Sequence, residues 1–145
     1  MKQTLQKLKR VKPLIRSKKA IFDEEVNALA NIKEEKIKAI DHLRHYQTKY
    51  MESANQINHE RTKGDHKIAC ALEPALEVVK SRWHDSVRAV RKIEAAEKEQ
   101  LQKVLDAQKD LKTFEQLEEQ YQDQFKKLEK MKEQKELDEL ALIKK

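Results

Sequence analysis

Arg61-Thr62-Lys63-Gly64-Asp65-His66 is the stretch on which the fold turns. Gly64 is the only glycine in 145 residues, and it stands between two long stretches that repeat every seven residues. Glycine adopts the left-handed backbone that ends a helix, and Asp65 is a good N-cap for the next one, able to accept backbone N–H bonds. The reading is all-α: two long helices forming an antiparallel coiled-coil hairpin. Residues 1–145 make one hairpin domain, with arm one about 1–60, the turn about 61–71 and arm two about 72–145.

Working back from the turn, one track of the first arm runs Leu8, Ile15, Phe22, Leu29, Lys36, Leu43, Tyr50, Ile57, and seven of these eight are apolar or aromatic. Its companion, Val11, Lys18, Glu25, Ile32, Ala39, Tyr46, is weaker, and Val26, Ile37 and Ile40 are expected to fill in as the stripe drifts around the helix. Working forward, the second arm carries Leu76, Trp83, Val90, Glu97, Val104, Leu111, Glu118, Phe125. Beside it run Leu72, Val79, Ser86, Ile93, Gln100, Ala107, Phe114, Tyr121, Leu128. Such sustained heptads mark a coiled-coil seam. Glu97, Gln100 and Glu118 are polar where the seam should be apolar; they either set register at a cost in stability or mark local solvation. Pro74 and Pro13 each kink a helix or begin one.

With the turn centred near Gly64–His66, residue i faces roughly residue 130 − i, and about the last 15 residues overhang the N-terminus. Arms of some 50 and 70 residues would span roughly 75 and 105 Å at about 1.5 Å per residue. A single helix dimerising in parallel is the competing fold, since one glycine costs a helix only about 1 kcal/mol.

Composition supports the rod. Charged residues make up 40% of the chain, and glycine and proline are almost absent. Net charge is +6 and unevenly placed: residues 1–20 hold eight Lys/Arg and no acid, whereas from residue 63 onward cations and carboxylates balance. An acidic partner at the terminal end is implied, whether protein, nucleic acid or anionic lipid. Cys70 is the sole cysteine, which fits a reducing compartment. No apolar run approaches a membrane span and no signal peptide is seen, so a soluble cytoplasmic protein is expected, without stable membrane insertion.

Chemistry-bearing motifs are scarce. His42 and His45, with Asp41, make at most half a metal site, and solvated histidines are the plainer reading. The pairs Glu24-Glu25, Glu34-Glu35 and Glu118-Glu119 suit a solvated helix surface. Neither a phosphate-binding loop nor a Ser/His/Asp set is present. No enzyme, no cofactor and no metal are expected. Tyr46, Tyr50 and Trp83 should meet in the turn-proximal half, with Phe22 near Phe114 and Phe125 near Leu5 or Leu8. The expected seam is Phe22, Leu29, Leu43, Tyr50, Val79, Trp83, Val90, Val104, Leu111, Phe114 and Phe125.

Particular residues carry a family resemblance. Leu8-Lys9-Arg10-Val11-Lys12-Pro13-Leu14-Ile15-Arg16 resembles the Arg-Val-Lys-x-Leu-Arg opening of YscO-like proteins, and departs from it at Pro13. His45-Tyr46-Gln47-Thr48-Lys49-Tyr50 resembles a Tyr-Gln-x-x-Tyr stretch of FliJ. Gln134-Lys135-Glu136-Leu137-Asp138-Glu139-Leu140-Ala141 resembles the Gln-Lys-x-x-Asp-Glu-x-Ala ending of FliJ, and Phe114-Glu115-Gln116-Leu117-Glu118-Glu119-Gln120 a run upstream of it. The chain thus looks like the FliJ/YscO family, the central stalk proteins of type III secretion, flagellar or injectisome.

That resemblance implies a hairpin similar to the central shaft of rotary ATPases. It would sit in the pore of a hexameric export ATPase (FliI- or SctN-like) and reach toward an export gate (FlhA- or SctV-like) at the inner membrane's cytoplasmic face. In the flagellar case it would also handle export chaperones. Charge and apolar character together put the ATPase-docking end at Lys7, Leu8, Lys9, Arg10, Lys12, Arg16, Leu140 and Ile143, beside Leu5. Two other functions compete: a general scaffold or dimeric tether, and a nucleic-acid-associated coiled coil. The latter is opposed by the absence of stacking aromatics in residues 1–20, so no nucleic acid is expected.

Overall fold

The computed structural model describes residues 1–144; Lys145, the last residue of the C-terminal segment, lies outside them. Two helices account for the described chain: α1, Lys2–Thr62, and α2, His66–Ile143. They pack against each other as an all-α hairpin without strands.

The turn is Lys63–Asp65, tighter than the expected 61–71. Local hydrogen bonds explain its brevity. Asp65 N donates to Glu60 O (2.9 Å) and Gly64 N to Arg61 O (3.0 Å), so α1 ends in a Schellman motif. Gly64 supplies the left-handed residue it requires, with φ +86°. Asp65 stands at the N-cap, where its main-chain carbonyl accepts from Ala69 N at 3.2 Å. Thr62 Oγ1 donates to Asn58 O (2.8 Å), closing the last turn of α1. Both prolines lie inside helices, Pro13 in α1 and Pro74 in α2. Neither begins one.

Two compact units divide the hairpin. The turn-side unit is Asn27–Leu101. Here Lys36 Nζ meets Glu97 Oε1 at 3.4 Å, and the Tyr50 and Trp83 rings lie 5.3 Å apart. Residue i therefore faces about residue 133 − i, three residues from the expected register. Residue types on the seam decide this: the shift sets Lys36 against its opposite charge and Tyr50 against Trp83. Ile57 and Val90 are buried, and so is the polar Gln100.

The terminal unit comprises residues 1–26 and 102–145 by the same division. Lys18 Nζ lies 5.8 Å from the Phe114 ring centroid, and Lys7 Nζ 5.6 Å from that of Tyr121. Lys18 thus stands beside Phe114. Val11, Ala107 and the polar Thr4 are buried. Every described residue beyond Leu128 is exposed.

The expected drift of the first arm's stripe is seen at Ile40, which is half-buried, and not at Val26 or Ile37. The companion positions, Lys18 and Glu25 included, are buried or half-buried, whereas Val26 and Ile37 are exposed. Paired helices wind so that heptad positions stay on the seam, and a polar residue on the track remains there rather than yielding to an apolar neighbour. No large side chain is fully buried among the described residues, as a core only two helices thick dictates.

Candidate functional site

The eight cations of residues 1–20 are not equivalent once placed on a helix. Lys9, Lys12, Arg16 and Lys19 follow one another at three- and four-residue steps, so they form one stripe, and all four are exposed. Lys19 belongs to it although it stood outside the expected docking set; three-and-four spacing was the signal that reveals it. Arg10 is exposed off this stripe. Lys7 turns toward α2 and lies over Tyr121, a contact worth about 0.5–1 kcal/mol at an exposed site. Leu8 is half-buried on the seam track, whereas Leu5 is exposed.

In the same unit α2 continues as a helix to Ile143. Met131, Leu137, Leu140, Leu142 and Ile143 along it are exposed, Leu140 at 55% and Ile143 at 79%. A basic stripe and an apolar helical extension free of α1 are thus features of one unit. Such a pair can attract an acidic surface and then bury apolar side chains against it.

The expected seam residues are all buried or half-buried, and Tyr50 and Trp83 meet across the arms. Leu29 and Val90 are buried; Phe22, Leu43, Tyr50, Val79, Trp83, Val104, Leu111, Phe114 and Phe125 are half-buried. Trp83 stands between Tyr50 and His84, the latter ring stacked at 5.8 Å. Tyr46 contacts His45 edge-on at 5.4 Å and lines a shallow groove with Arg82 and Ala39 rather than joining the Tyr50–Trp83 pair.

Asp41, His42 and His45 share a shallow depression with Lys38. A lysine there disfavours a cation, and no group of three metal-ligating side chains occurs among the described residues. No described helix is long and apolar enough to cross a membrane.

Fold defines a class: an all-α protein of two long helices packed as a hairpin. A family model described as Flagellar FliJ protein matches residues 6–144, nearly the whole chain. The chain belongs to the FliJ family, a non-catalytic family of flagellum biogenesis and protein export. No curated protein and no solved structure matches it significantly.

Proposed function

We propose that this chain is the stalk of a flagellar export apparatus, and that its terminal unit docks into the hexameric export ATPase and stimulates it. One observation carries the reading: the exposed stripe Lys9, Lys12, Arg16, Lys19 shares a unit with the unpartnered end of α2. Membership of the FliJ family supplies the context. The stripe guides the tip toward an acidic pore lining, and Leu5, Leu140 and Ile143 hold it there by burial. The turn-side unit is then left for the export gate and for export chaperones, at the cytoplasmic face of the inner membrane.

Reversing Lys9, Lys12, Arg16 and Lys19 to Glu tests this reading. Binding to the purified cognate ATPase should weaken at least about tenfold, a change of ~1.4 kcal/mol. Stimulation of ATP hydrolysis should fall with it while circular dichroism stays unchanged. Wild-type binding should itself fade between low and physiological salt, because exposed charges are screened beyond about 8–10 Å at 0.1–0.15 M. Normal binding and stimulation by the reversed protein would move the docking site to the turn-side unit.

A further inference from the structure

We propose that the turn-side unit carries a docking groove for an acidic amphipathic α-helix of a protein partner. It lies on the flank where Ile37, Arg44 and Met51 of α1 accompany Lys80, Arg88 and Arg91 of α2.

Contacts near the turn identify the flank. Arg61 and Glu73 form an ion pair across it. A shallow groove there is lined by Ala54, Asn58 and Arg61 from α1 and by Cys70, Glu73 and Glu77 from α2. In a coiled coil each step of seven residues returns to the same flank. One step from the turn, Gln47 and Met51 accompany Lys80 and His84. Two steps away, Ile40 and Arg44 accompany Val87 and Arg91, and Ile37 follows Arg44 by one step more. A depression along α2 joins Lys80, Ser81, His84, Val87, Arg88 and Arg91 directly, with Glu77 in its lining at the end toward the turn.

Two properties of this flank select the occupant. The first is apolar surface. Ile37 and Met51 are 61% and 59% exposed, more than any other large apolar residue of the turn-side unit. Both lie here, and half-buried Ile40 and Val87 continue the apolar floor. An unpaired apolar strip between two helices is the surface into which an amphipathic helix lays its apolar face.

The second is charge. Of the five Lys/Arg in residues 80–92, Lys80, Arg88 and Arg91 line this flank, whereas Arg82 and the one carboxylate, Asp85, line the opposite groove with Ala39, His42 and Tyr46. Asp85 is bound by Arg88 at 2.7 Å. Lys80, His84, Arg88 and Arg91 succeed one another at four-, four- and three-residue steps, one continuous edge. Arg44 adds a cation from α1.

The ends of the edge set its length. Glu77 closes the depression at the turn end and Glu94 follows the edge at the other. Lys80 to Arg91 spans about 16 Å, three helical turns. A polyanion longer than that would run onto the bounding carboxylates. Trp83 is half-buried and packs between Tyr50 and His84 rather than offering a free stacking face for bases. The chemistry therefore favours a short protein helix with Asp and Glu along one edge over a nucleic acid. This groove is separate from the terminal stripe, and its partner is distinct from whatever the terminal unit binds.

A phage-displayed library of four-turn amphipathic helices, with acidic, basic and neutral residues allowed at the edge positions, would be panned against the full chain. Affinities of the enriched peptides would be read by fluorescence anisotropy. Enriched peptides should carry acidic edges. Their affinity should fall at least about tenfold with K80E/R88E/R91E, and similarly with I37Q/M51Q, at unchanged helix content. The Lys9/Lys12/Arg16/Lys19 reversal should leave peptide affinity unchanged, so failure here and failure of the ATPase reading are separable. Enrichment without acidic edges, or affinity indifferent to both sets of substitutions, would overturn the proposal. So would a 12-nucleotide single strand that binds more tightly than the peptides and ignores I37Q/M51Q.

Discussion

Trp83 shows how a thin seam is held. Its ring is half-buried between Tyr50, 5.3 Å away, and His84. Aromatic pairs contribute about 0.5–1.5 kcal/mol beyond the area they bury. Full burial would make truncation cost about 3–5 kcal/mol, and partial exposure lowers that to roughly 2–3 kcal/mol. Trp83→Ala should therefore depress the thermal midpoint by circular dichroism far more than Lys80→Ala, an exposed control expected within about 0.5 kcal/mol of wild type. Equal effects would show that Trp83 faces a partner instead of the seam. Lys36 and Glu97 act differently. They meet across the seam with 29% and 25% of their side chains exposed, so attraction and desolvation nearly offset. Their effect is on register: sliding the arms by a turn would leave each charge against apolar neighbours.

Each helix is built so that only one partner surface satisfies it. All positions of both heptad tracks, from Thr4 to Glu60 in α1 and from Ala69 to Leu128 in α2, are buried or half-buried. Pro74 removes one backbone donor near the start of α2, yet the helix persists because Ala69 is buried and Leu72, Leu76 and Val79 are held on the seam. The register makes a direct claim. Leu43 lies one heptad from both Lys36 and Tyr50, and Val90 one heptad from both Glu97 and Trp83, so the two fall opposite each other. In a Cys70→Ser background, Leu43→Cys and Val90→Cys should form a disulfide within one chain under mild oxidation, leaving a monomer on non-reducing gels. Cross-linked dimers alone would mean two parallel chains and no hairpin.

At the scale of the molecule, the arms differ in length by design: α1 has 61 residues and α2 has 78. Residues 129–144 are exposed throughout, so they add little to the stability of the hairpin and much to its accessible apolar surface. Ending the chain after Leu128 should leave the melting midpoint within a few degrees of wild type, since no seam contact is lost. The same truncation should reduce affinity for the export ATPase about tenfold, measured by surface plasmon resonance. Loss of melting stability instead would assign the segment to the core, and undiminished affinity would leave docking to the basic stripe alone.

Heptad spacing and one glycine were enough to read a hairpin with its turn at Gly64, because a seven-residue repeat and a left-handed residue act through local backbone geometry. Lys9, Lys12 and Arg16 were read among the basic residues of that end, and Lys19 was missed although three-and-four spacing on one helix joins it to them. Register was not legible. Whether Lys36 meets Glu97 and Tyr50 meets Trp83 depends on the summed fit of two surfaces, and a three-residue shift changes such pairs while leaving each arm's pattern intact. Nor could the pattern alone show that Val26 and Ile37 stay outside, since a helix read singly drifts and only a wound pair holds its heptads in place. The flank on which Met51 accompanies Lys80 exists only once the arms are paired. Residues about thirty apart in sequence become neighbours through tertiary packing, and no local rule brings them together.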